Sequence, residues 1–86
     1  MRFQGSVIKE QGVTFGIVIV KPHILNMQSE RSQMQNFGRQ AFGMIPIVLM
    51  AQNSRGIPTY YGRTDIVNFL SHISMNRIPW KEYSVA

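Results

Sequence analysis

Cysteine is missing from this chain of 86 residues, and acidic residues number only four. The first absence excludes disulfides, thiolate zinc sites, iron–sulfur clusters, thiol nucleophiles and dithiol redox centres. Without staples, a chain of this length fits the cytoplasm better than a secretory route. The opening segment, MRFQGSVIKEQG, has no apolar core run and no small-residue cleavage site, so it does not read as a signal peptide. Long hydrophobic runs are lacking too. The longest, Phe15 to Val20, falls far short of the roughly 20 residues that span a bilayer. The expectation is one small soluble domain over residues 1–86, with no membrane partner.

Catalytic and cofactor signatures are also missing. Seven glycines form no G-x-G-x-x-G or Walker-type run. No serine stands in a G-x-S-x-G elbow, and a triad of His23, Asp65 and Ser54 has no spacing to support it. Glu10, Glu30, Asp65 and Glu82 are scattered, which serves a paired-carboxylate hydrolase poorly. His23 and His72 are the only histidines, and neither has the spacing of a helical zinc motif. These absences predict a non-enzymatic domain with no cofactor and no metal.

What the chain does have is apolar content and positive charge. Hydrophobic residues make up 44%, which argues for a folded core rather than disorder. Nine Lys and Arg give a net charge of +5, a balance that suits nucleic acid, an anionic ligand or an acidic partner. The basic residues stand singly, so only the fold can gather them.

The order of elements reads β-β-α-β-(β)-α-β. Phe3 to Ile8 and the β-branched run Val13 to Val20 predict a hairpin, with Gly12 free to take a positive φ in the turn. The second strand does not alternate, which predicts burial on both faces and a central place in the sheet. Asn26 or Ser29 is the expected cap of a first helix carrying the stripe Met27, Met34, Phe37 and Ala41, ended by Gly43. Gly38 inside it costs about 1 kcal/mol relative to alanine. Met44 to Gln52 reads as another buried strand, with Pro46 at its beginning or on a side where no ladder donor is needed. Ile57 to Tyr61 is a short strand or an ordered loop. Gly62 or Thr64 opens a second helix whose buried face is Ile66, Val67, Phe69, Leu70 and Ile73, with Asp65 suiting its first turn. Ile78 to Val85 is a final strand containing Trp80. The fold class is therefore α/β or α+β, a small mixed sheet of four to five strands with two helices. The first helix makes a crossover between parallel strands.

Two functional readings follow. The leading one is a small protein-interaction or structural domain, binding a protein partner or self-associating as a homodimer. Its features are a terminal edge strand with an exposed Tyr83, and the adaptable Met27 and Met34. The alternative is an anion or nucleic-acid module that binds a phosphorylated ligand. If both helices followed their strands in crossovers, their N-termini would share one edge of the sheet. Lys21, His23, Arg55, Tyr60, Tyr61, Arg63 and Thr64 would then line a basic site there. Adjacent tyrosines in an extended segment face opposite ways, so Tyr60 and Tyr61 offer one stacking ring rather than a platform.

Overall fold

The computed structural model describes residues 2–85. Five strands form one mixed sheet: β1 (Arg2–Glu10), β2 (Val13–Ile19), β3 (Ile47–Gln52), β4 (Pro58–Tyr61) and β5 (Lys81–Ser84), in the order β4-β3-β2-β1-β5. Helix α1 (Gln28–Phe42) lies between β2 and β3 in sequence, and α2 (Thr64–Ser71) between β4 and β5. Short 3₁₀ turns, Pro22–Asn26 and Met75–Arg77, precede α1 and follow α2.

The hairpin forms because Gln11 and Gly12 both take positive φ, 52° and 79°, which matches the right-handed twist of β1 and β2. β2 occupies the centre of the sheet, and its stretch Phe15–Val18 is buried. Two-sided burial explains why its apolar residues run consecutively. The crossover through α1 sets β2 and β3 parallel, with Gly16 opposite Ile47 and Ile19 opposite Met50. β1 and β4 run the other way.

One helix covers each face. On the α1 face, Phe3, Val18, Val20, Ile47, Leu49 and Ala51 form a core joined by Met34, Ala41, Phe42 and Tyr83. Gly38 sits where α1 approaches β3 most closely; a Cβ there would stand 2.7 Å from Cγ2 of Ile47. Its propensity cost is thus the condition for seating the helix. On the α2 face, Phe15, Ile17, Val48, Met50, Ile66, Leu70 and Ile78 form the second core, with Val67, Phe69, Ile73 and Trp80 around it.

Several expectations change. β3 starts only at Ile47, and Met44 is 94% exposed in the connection before it. α1 begins after Met27, with no side-chain cap, because the chain first makes the 3₁₀ turn that Pro22 initiates. The last strand is shorter than expected. Ile78 and Trp80 precede it and seal the α2-face core, Trp80 donating from Nε1 to the Met75 carbonyl at 3.1 Å. Tyr83 is half-buried rather than exposed: it stacks on Phe3 at 5.6 Å and meets the edge of Phe42 at 4.7 Å. No helix among the described residues is long and apolar enough to cross a membrane.

Candidate functional site

The direction of β4 decides what becomes of the basic edge. Because β4 is antiparallel to β3, its carboxyl end returns to the end of the sheet where β3 begins. α2 therefore starts at the opposite end of the sheet from α1. Lys21 and His23 lie at the carboxyl end of β2, and Arg55 lies in the β3–β4 loop at that same end. Asn53 shapes that loop by accepting at Oδ1 from the Arg55 and Ile57 amides, at 2.8 and 3.0 Å. Arg63 and Thr64 sit at the other end, at the start of α2. Five of the seven residues are thus divided between two ends of the sheet, and Tyr60 and Tyr61 lie within β4 between them.

The tyrosines divide as well. Tyr60 pairs with Met50 and packs on the α2 face, where burial pushes its hydroxyl pKa up. Tyr61 pairs with Leu49 on the α1 face and carries the Arg31 guanidinium 4.5 Å above its ring. Arg31 also donates from Nη1 to the Leu25 carbonyl at 2.7 Å. Arg63 grips Asp65 through two hydrogen bonds of 2.8 Å. Those hydrogen bonds, more than the charge itself, hold the Asp65 carboxyl down at about 2. The Arg63 charge is thereby already matched.

At the end where β2 finishes, Lys21 and His23 join Arg2 around an apolar hollow of about 370 Å³ whose lining includes Phe3, Val20, Ile24 and Met34. Arg2 reaches the exposed Glu82 at 3.4 Å, and the exposed His23 reaches the half-buried Glu30 at 3.8 Å. Among the described residues, no three His, Asp or Glu side chains gather as metal ligands would.

A larger concavity lies at the foot of β1. β5 pairs with β1 only from Arg2 to Gly5, where Gly5 faces Lys81. β2, by contrast, pairs with β1 from Gly5 to Glu10. Below Gly5, then, β1 has a strand neighbour on one side only. The chain leaving α2 passes over the α2 face and joins the sheet late. Ser6 fixes that late entry by donating from Oγ to the Pro79 carbonyl at 3.1 Å, and Ser6 is fully buried doing so.

Between this bare strand edge and the segment after α2 runs a groove of about 500 Å³. Its apolar wall is Ile8, Phe69, Ile73, Ile78 and Pro79, with Val7, Lys9, Glu10 and Arg77 along the strand and rim. Val7 lies opposite Gly16 and on the α1 face, where α1 does not cover it; it is 41% exposed. Ile8 lies opposite Phe15 and faces the groove. Lys9 and Arg77 have no acidic partner among the described residues.

The other two open edges are blunted in ways that oppose pairing. β4 is four residues long and begins with Pro58, which has no amide hydrogen to donate. β5 is equally short and carries exposed Lys81 and Glu82. Sequence reasoning reads Phe69 and Ile73 as the buried face of the second helix and Ile78 as the start of the last strand, and it does not find the groove. The missing piece is the difference in length between β1 and β5, which no residue pattern in β1 reveals. Comparison of this chain with protein-family models, curated proteins and solved structures gives no match, so the geometry alone carries the functional reading.

Proposed function

We propose that this domain is a non-enzymatic interaction module that receives an extended polypeptide segment along the lower half of β1. The observation that carries this reading is the bare edge from Val7 to Glu10 beside the apolar groove. Strand addition at such an edge draws affinity from main-chain hydrogen bonds and specificity from pockets for alternate side chains. Both elements are present together here and at no other edge of the sheet among the described residues. Five residues of β1 below Gly5, at about 3.3 Å each, offer roughly 16 Å of backbone.

The test is selection from a displayed library of short peptides, followed by amide hydrogen exchange on the bound domain. Selected peptides are expected to protect the outward-pointing amides of Val7 and Lys9 and to lose binding to the Val7→Asp variant. Lys21→Ala, at the other end of the sheet, should leave binding unchanged. Peptides that bind without protecting β1 would refute the reading.

A second reading rests on the hollow beside Arg2, Lys21 and His23. The Lys21 ammonium beside an apolar floor suits a small anion with a hydrophobic body. Nucleic acid and phosphorylated ligands draw less support, because the tyrosines face opposite ways and Arg63 is matched by Asp65. Fluorescence titration with anilinonaphthalene sulfonate tests this reading. Binding that Lys21→Ala leaves intact would place the dye elsewhere.

A further inference from the structure

We infer that the segment β1 receives is an alternating apolar and acidic strand from another protein, rather than a second copy of this chain. The inference rests on the strand-edge reading above and adds the chemistry of the occupant. A strand laid beside Val7–Glu10 has its side chains sorted by the pleat, alternate ones to opposite faces. Those on the α2 face enter the groove against Ile8, Phe69, Ile73 and Ile78, and must be apolar. Those on the α1 face lie beside Val7 and Lys9, which that face leaves open to solvent. Lys9 is unmatched there, and Arg77 is unmatched on the groove rim. Carboxylates at alternate positions would meet Lys9, and one at a segment end would reach the rim. Glu10 is the only acid lining the groove.

A second copy fits this edge less well on charge. Its own β1 offers the sequence Ser6-Val7-Ile8-Lys9-Glu10. Antiparallel self-pairing that keeps Ile8 in both grooves places Lys9 of one chain opposite Val7 of the other. No carboxylate then faces either lysine from the paired α1-face positions. Each chain also carries a net charge of +5, so two copies repel at low salt. An acidic strand instead gains from the same field, and its attraction weakens as salt rises.

The test uses the full chain labelled with ¹⁵N and two end-blocked heptapeptides at millimolar concentration. One alternates aspartate with valine; the other replaces each aspartate with lysine. Amide shifts report where each peptide binds, and sedimentation reports self-association of the domain alone. The acidic peptide should bind at Val7–Glu10 at least roughly tenfold more tightly than the basic one. The double variant Lys9→Glu with Arg77→Glu, both exposed positions, should reverse that order. Equal binding of both peptides at β1 would keep the strand-edge reading and overturn the acidic preference. Concentration-dependent dimers that shift the same amides would put a second copy in the groove and overturn the inference. If peptides and self-association all leave β1 unshifted, the strand-edge reading falls with it.

Discussion

The two faces of the sheet are covered by helices of different design, and the difference explains where the open edge lies. α1 is long, largely polar outside, and seated closely on β2 and β3 by Gly16 and Gly38. It connects neighbouring parallel strands and has little distance to cover. α2 has only eight residues, buries Ile66 and Leu70 deeply, and belongs to a connection from β4 at one edge to β5 at the other. That connection must cross the whole sheet. It completes the crossing with an irregular segment through Met75–Arg77 and arrives at β1 halfway along. Close seating leaves only the hollow beside Lys21 at the start of α1, whereas the long diagonal beside α2 leaves the larger groove at the foot of β1.

The contrast can be broken most severely on the α2 face. Leu70 is fully buried, so Leu70→Ala should cost about 2–5 kcal/mol, read as a lower midpoint in urea. On the α1 face the sharpest probe is Gly38→Ala. Helix propensity alone predicts a gain of about 1 kcal/mol. The crowding against Ile47 predicts a net loss of about 1–3 kcal/mol instead. A stabilised Gly38→Ala variant would show that α1 can lift off the sheet cheaply.

Trp80→Phe should cost about 1 kcal/mol through the lost bond to the Met75 carbonyl, and it should loosen the segment that walls the groove. Faster amide exchange from Met75 to Trp80 would register that loosening. Asp65→Asn probes the start of α2 through pH. The Asp65 carboxyl titrates lower in the folded chain than in the unfolded one, so its contribution is present above about pH 4. That contribution is lost as pH falls toward about 2. The variant should show a flatter stability profile across this acid range, seen by thermal melts at each pH. Smallest of all should be Val7→Asp, which at an exposed position should change stability by less than about 0.5 kcal/mol. A large loss there would mean that the bare edge is held by contacts of its own.

Much of the fold can be read along the chain, for identifiable reasons. The unbroken apolar run of β2 announces a central strand, because two-sided burial removes alternation. Gly12 marks the hairpin turn, Pro46 the approach to β3, and the spacing of Ile66, Leu70 and their neighbours the buried side of α2. Boundaries are less readable. Met44 and Ile45 look like strand residues but lead into β3, and Ile78 and Trp80 look like strand residues but close a core. Apolarity marks burial, and burial is available in a loop packed on a core as well as in a ladder.

The site is less readable still. The sequence by itself determined the element order, the buried face of α2, the surplus of positive charge and the absence of thiol chemistry. Each of these depends on residue type and local spacing. The tertiary structure alone decided that β4 runs against β3, which separates Lys21, His23 and Arg55 from Arg63 and Thr64. It also decided that β5 meets β1 only as far as Gly5. Strand direction and strand overlap are set by how connections cross the sheet, a long-range balance of chain length and core packing. No short stretch of residues encodes that balance, which is why the bare edge of β1 emerges only when the whole sheet is assembled.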